Sequence, residues 1–161
     1  RGAVHDTAAL LKAKKEGKIS ELIIDCWENE PAISRELLDN TAIATPHIAG
    51  FSADGKANGT RTCLQNIETF FGIKIEKIGE VIPPAPENPV INLNTFTDHR
   101  IEQAILTSFN PLIVDKFLRE EPDKFEWFRT YYHHPREFQA YTIINATPEE
   151  TNLLQNLGFS L

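Results

Sequence analysis

Leu22-Ile23-Ile24-Asp25 is a short, wholly apolar run that ends on a carboxylate. In front of it, residues 7–16 have the spacing of a helix. Asp6 or Thr7 can cap its start, Leu10, Leu11 and Ala13 share one side, and Gly17 stops it. A helix feeding a strand with no polar alternation is the pattern of a parallel sheet. A second, shorter unit follows. Ser34 can cap a brief helix through Leu38, and Ala42-Ile43-Ala44 reads as another apolar strand running into Thr45-Pro46-His47. Residues 1–50 therefore read as the end of a doubly wound α/β domain. Asp25 and His47 both lie just past predicted strand ends, the edge where open α/β sheets bind ligands.

Outward from this stretch, residues 52–71 predict one long helix stopped by Gly72, with Ala57, Cys63, Leu64, Ile67, Phe70 and Phe71 among its apolar positions. Gly55 and Gly59 inside it each cost about 1 kcal/mol against Ala. Their spacing predicts close packing against a neighbouring element. Pro83, Pro84, Pro86 and Pro89 then make residues 81–89 a stiff, extended linker. Beyond it, a strand at 90–93 and a helix at 98–109 are expected, the latter begun by Asp98-His99-Arg100. Asn110-Pro111 is a cap followed by proline at the first helical position, restarting a helix to about residue 119. A helix at 122–132 and a strand at 140–144 follow. Thr147-Pro148-Glu149-Glu150 combines a cap, a proline and two acids at a helix start, and Gly158 ends that helix. The expected division is 1–50, a returning helix region at 51–80, the linker at 81–89, and a small α+β module at 90–161.

The 161 residues are 41% hydrophobic, enough for one domain or two small ones, and carry a net charge of −7. That charge argues against nucleic acid or an anionic membrane surface as partner, since both need clustered Lys and Arg. No apolar run approaches the roughly 20 residues of a membrane helix, so a cytoplasmic protein with no membrane contact is expected. The chain starts at Arg1 and contains no Met, which predicts a piece of a longer protein. Cys26 and Cys63 have no metal or redox spacing and read as reduced core residues. His133-His134 lacks a Cys or carboxylate to complete a metal site, so no metal is expected. Trp127, Phe128, Tyr131 and Tyr132 read as core or subunit interface, and Lys12, Lys14 and Lys15 as a solvated helix face.

Three residues in the first fifty could act together. His47 is a candidate acid/base, Glu30 a carboxylate able to fix an imidazole's tautomer, and Arg1 a fork that can hold a substrate carboxylate by both oxygens. On residue types alone the plainer readings stay open. His47 after Pro46 fits a loop or core histidine, Arg1 fits a solvated cation, and Glu28 and Glu30 fit an ordinary acidic turn.

Three blocks narrow these options. Arg1-Gly2-Ala3-Val4-His5-Asp6, Asp25-Cys26-Trp27-Glu28-Asn29-Glu30-Pro31 and Thr45-Pro46-His47-Ile48-Ala49-Gly50 resemble, in content, order and spacing, the three signatures of D-2-hydroxyacid dehydrogenases. That resemblance implies a Rossmann-type sheet and NAD as cofactor. It implies that Arg1 binds substrate, Glu30 pairs with the histidine and His47 is the general acid/base. Asp25 would contact the nicotinamide end of NAD, and Gly50 would lie near the cofactor.

The stretch from Ile48 to Thr60, and Phe125-Glu126-Trp127-Phe128-Arg129 with Tyr132, Arg136, Glu137 and Phe138, are similar to one branch of that family, which carries a C-terminal dimerisation domain. The implied reaction oxidises 4-phospho-D-erythronate to its 2-oxo acid with NAD as acceptor, on the route to pyridoxal 5'-phosphate. The implied partners are a phosphorylated 2-hydroxy acid and a second copy bound through residues 90–161. Three departures stand out. Phe51 occupies a substrate-associated position where Tyr is common, His5 stands where an aliphatic residue is usual and is expected to have no role, and Pro135 interrupts a common basic pair. The alternatives are another dehydrogenase of the family, such as one for 3-phosphoglycerate, or an NAD-sensing corepressor built on the same fold. No Gly-rich phosphate loop occurs in the sequence, so residues 1–161 alone are expected to be inactive.

Overall fold

The computed structural model describes residues 2–161. A 3-10 turn at Gly2–Val4 leads into α1 (Thr7–Lys15), capped by the Asp6 carboxylate on the Ala9 amide. Strand β1 (Ile23–Ile24) follows, then α2 (Arg35–Asp39), capped by Ser34, and strand β2 (Ile43–Ala44). The two strands pair in parallel, with Ile23 opposite Ile43 and Ile24 opposite Ala44. Helix α3 (Ala53–Phe71) starts at a Ser52 cap and stops at Gly72, whose left-handed φ of 63° favours glycine. Strand β3 (Val90–Asn92), α4 (Arg100–Ser108), α5 (Pro111–Glu120), α6 (Phe125–Thr130), strand β4 (Thr142–Ile144) and α7 (Pro148–Leu157) complete the order. β3 and β4 form a second parallel pair.

Two compact units result, and they do not follow the linear division expected from the proline-rich stretch. The first unit comprises Arg1–Gly50 and Asn110–His133, and the second Phe51–Phe109 and His134–Leu161. The chain leaves the second unit after α4, contributes α5 and α6 to the first, and returns at His134. In the first unit Leu22, Ile24, Trp27, Leu37, Leu38 and Ala44 are buried together with Leu118 of α5 and Phe125, the first residue of α6. In the second, Ile91, Leu93, Ala104, Tyr141, Ile143, Leu154 and Phe159 form the core.

A buried ion pair explains why α5 joins the first unit. Asp115 accepts from the Ala44 amide at 2.7 Å, so it covers the outer edge of β2, where a further strand would otherwise pair. Arg119, one turn on, clasps Asp115 through Nε and Nη2, and donates to the carbonyls of Leu38 and Thr41, each at 2.7 Å.

Several expectations change. Cys63 is exposed and Cys26 half-buried, so neither is a core residue; both are free thiols. A Cβ on Gly59 would meet open space, so no close packing requires that glycine. Residues 122–132 are not one helix: a 3-10 turn at Pro122–Lys124 precedes a short α6. Helix α4 begins without a side-chain cap, from His99 at φ 45°. None of the described helices is long and apolar enough to cross a membrane.

Candidate active site

The site is built in the first unit from the two loops that follow β1 and β2. Asp25, the first residue past β1, grips the second loop with its backbone and its carboxylate. Its carbonyl accepts from the His47 amide at 2.8 Å. Its Oδ1 accepts from the Thr45 hydroxyl and the Ile48 amide, both at 2.7 Å, and the Ala49 amide lies 3.2 Å from each oxygen. Trp27 adds a second tie, its indole N–H donating to the Thr45 carbonyl at 2.9 Å from a fully buried ring. These bonds hold His47 at φ 56°, a left-handed conformation that costs a non-glycine residue about 1 kcal/mol or more and persists only where its surroundings enforce it.

Glu30 completes the arrangement. Its Oε1 accepts from the Trp27 amide at 2.7 Å, which fixes the carboxylate, and its Oε2 lies 2.8 Å from His47 Nδ1. A carboxylate only accepts, so Nδ1 carries the proton and Nε2 presents its lone pair outward. The His47 side chain is 32% exposed and that of Glu30 20%, so the pair is sheltered while the imidazole still reaches solvent. An imidazole with one nitrogen held by a carboxylate and the other accessible can take a proton and return it.

The sequence-derived residues do not all gather here. Asp25, Glu30 and His47 converge. Arg1 lies outside the described residues. Gly50 ends the first unit, and a Cβ on it would meet nothing within 4 Å. Phe51 belongs to the second unit, where its ring stacks on His134 at 5.8 Å between centroids and lies 5.2 Å from the Lys56 ammonium.

Other contributors were not evident from residue types. Glu28 is more than an acidic turn: it accepts from the Thr7 amide at 2.7 Å at the start of α1. Hydrogen bonding from Thr7, its side chain first and its amide second, holds the Glu28 carboxyl below the ordinary carboxylate value. His5, expected to have no role, lies 2.9 Å from the Cys26 carbonyl through Nε2. Gly2 packs so closely on the Trp27 peptide that a Cβ there would fall 1.9 Å from the Trp27 carbonyl oxygen. Tyr132, beyond α6, has its phenol pushed up to about 12, mainly by burial and secondarily by the negative charge of Asp25. Only the helical spacing of the aromatics at 127–132 hinted at that placement.

In the second unit, Asp54 and Arg136 form a buried two-pronged pair, Nε to Oδ2 at 2.8 Å and Nη2 to Oδ1 at 3.0 Å. Arg136 also donates to the Pro84 carbonyl at 2.6 Å, and Asp54 accepts from the Glu137 amide at 2.8 Å. Together they bind the start of α3, the proline-rich stretch and the segment before β4. The guanidinium holds the Asp54 carboxyl below its ordinary value.

The donor set fits one end of a nicotinamide cofactor. Asp25 Oδ2 takes the long Ala49 contact at 3.2 Å and a 3.8 Å approach from the Cys26 thiol, and a carboxylate oxygen can accept further, as from a carboxamide. The sequence has no Gly-rich turn to cradle a pyrophosphate.

The first unit thus presents a carboxylate-held histidine at a parallel sheet edge. Residues 1–49 match the D-isomer specific 2-hydroxyacid dehydrogenase, NAD binding domain. Residues 81–158 match a domain of unknown function (DUF3410). Over nearly its whole length the chain is similar to erythronate-4-phosphate dehydrogenases. It is 52% identical to that of Porphyromonas gingivalis over 159 residues, 99% of this chain and 43% of the relative. It is 46% identical to that of Bacteroides thetaiotaomicron over 144 residues, 89% of this chain and 39% of the relative. It is 35% identical to that of Psychromonas ingrahamii over 169 residues, 99% of this chain and 43% of the relative. The chain therefore spans about two-fifths of the length of the curated relatives it matches.

Proposed function

We propose that this chain is the catalytic part of an NAD-dependent dehydrogenase that oxidises 4-phospho-D-erythronate to its 2-oxo acid, in the formation of pyridoxal 5'-phosphate. The observation that carries the proposal is the Glu30–His47 pair at 2.8 Å, mounted at the strand edge by Asp25. His47 takes the substrate hydroxyl proton on Nε2 while Glu30 holds Nδ1–H and stabilises the imidazolium that forms. Bound NAD supplies the hydride acceptor. Asp25 orients the carboxamide through Oδ2 while keeping the histidine loop in place. Arg1 binds the substrate carboxylate with its guanidinium fork, and Gly50 and Phe51 border cofactor and substrate respectively.

Self-association through residues 90–161 belongs to the same proposal. It is supported by the apolar side chains that α5 and α6 leave exposed, Leu112, Ile113, Phe117, Trp127 and Tyr131. The similarity to erythronate-4-phosphate dehydrogenases beyond the proline-rich stretch favours the four-carbon substrate over 3-phosphoglycerate and over a nucleotide-sensing role. Steady-state turnover by the full-length protein on the two phosphorylated acids decides among them. Oxidation of 4-phospho-D-erythronate with much higher kcat/KM is expected. Preference for 3-phosphoglycerate would overturn the substrate, and NAD binding without turnover would favour the sensor.

A further inference from the structure

We propose that His5 is a positioning residue for this reaction, fastening the segment that contains Arg1 to the loop that carries Glu30; the inference rests on the dehydrogenase reading above. Three successive ties join these two stretches of the first unit. Gly2 lies against the Trp27–Glu28 peptide so tightly that no Cβ fits. His5 Nε2 lies 2.9 Å from the Cys26 carbonyl. The Thr7 amide donates to Glu28 at 2.7 Å. The middle tie is the one made by a side chain of the segment itself.

The Cys26 carbonyl can only accept, so the imidazole proton sits on Nε2 and the bond is a donor–acceptor bond. Nδ1 is shielded from solvent, which marks the ring as packed in place. The loop so held runs directly into the Trp27 amide and Glu30, and Glu30 holds His47. His5 therefore ties the segment that begins at Gly2 to the loop that leads into the Glu30–His47 pair, as a positioning residue and not a catalytic one. An aliphatic side chain at position 5 fills the space but leaves the Cys26 carbonyl without its donor. Glutamine keeps an N–H at about the reach of Nε2.

The test is a double-mutant cycle in the full-length protein, read as kcat/KM for 4-phospho-D-erythronate with KM for NAD and Tm measured alongside. His5→Leu should lower kcat/KM roughly three- to tenfold, the loss expected for one hydrogen bond, with KM for NAD within about twofold of wild type. His5→Gln should recover most of that loss. In an Arg1→Ala background, His5→Leu should cost little more, because the tie then holds a segment without its guanidinium. Wild-type kcat/KM in His5→Leu beside a crippled Arg1→Ala would overturn the positioning role alone. So would full multiplicative losses in the double variant, or a His5→Gln no better than His5→Leu. Unimpaired turnover by Arg1→Ala would instead remove the assignment of Arg1, and this role of His5 with it.

Discussion

His47 owes its placement to Asp25, at the end of the neighbouring strand. Asp25 spends its carbonyl on the His47 amide and most of its carboxylate on Thr45, Ile48 and Ala49, so one side chain and its own backbone secure the whole loop. The Glu30–His47 pair was legible in the sequence because both residues lie in short blocks with fixed spacing. The clamp by Asp25 was not, because a carboxylate at a strand end looks the same whether it faces a ligand or a neighbouring loop. His5 escaped for a similar reason: its partner is a backbone carbonyl 21 residues away, which no side-chain pattern announces. Gly2 makes a sharper case, since it is needed for space and not for a turn. Gly2→Ala should force the segment away from the Trp27 carbonyl and lower kcat/KM about tenfold or more, with only a modest change in Tm. Steady-state kinetics and thermal unfolding of the full-length variant check this, and unchanged kinetics would show that the segment tolerates the shift.

Caps and stops made most of the helices legible. Ser34, Asn110 and Thr147 each accept from a backbone amide at the helix starts expected from them, Ser52 does the same where no cap was expected, and Thr147 with Glu150 forms the reciprocal pair of a capping box. These signals act within a few residues of themselves. The bonds that Asp115, Asp54 and Arg136 make to assemble the units act across 71 to 83 positions and leave no local trace. Asp115 and Arg119 read as an ordinary helical pair, yet they decide that α5 covers the β2 edge. Asp54 and Arg136 do the same work for the start of α3. Breaking this buried pair by Asp54→Asn should cost on the order of 3 kcal/mol at neutral pH, because Arg136 is left without its counter-charge. Because the folded protein holds the Asp54 carboxyl below its unfolded value of 3.8, the stabilisation is present above that pH. It is lost as the pH falls through the lower folded value. Thermal unfolding should therefore show wild type losing Tm more steeply than Asp54→Asn below about pH 4. Parallel slopes would place the acid sensitivity elsewhere.

At the scale of the molecule, the linear order of segments and the order of packing differ. The proline-rich stretch marks a change of composition, but Arg136 draws it into the second unit by its carbonyls, while α5 and α6 belong with the first. Composition along a chain reports where regular structure pauses; it does not report where the chain later returns. The apolar residues left exposed on α5 and α6 should bring two copies together, so residues 1–161 should sediment as a dimer at micromolar concentration. A monomer under those conditions would count against self-association through this part of the protein.

The central claim is that His47, held by Glu30, moves the substrate proton. Its most direct measurement is kcat of the full-length protein on 4-phospho-D-erythronate with NAD, wild type against His47→Ala, with NAD binding verified in both. A loss of about 100-fold or more in the variant, with cofactor binding retained, is the expected result for removing a general acid/base. Near-normal turnover by His47→Ala would contradict it.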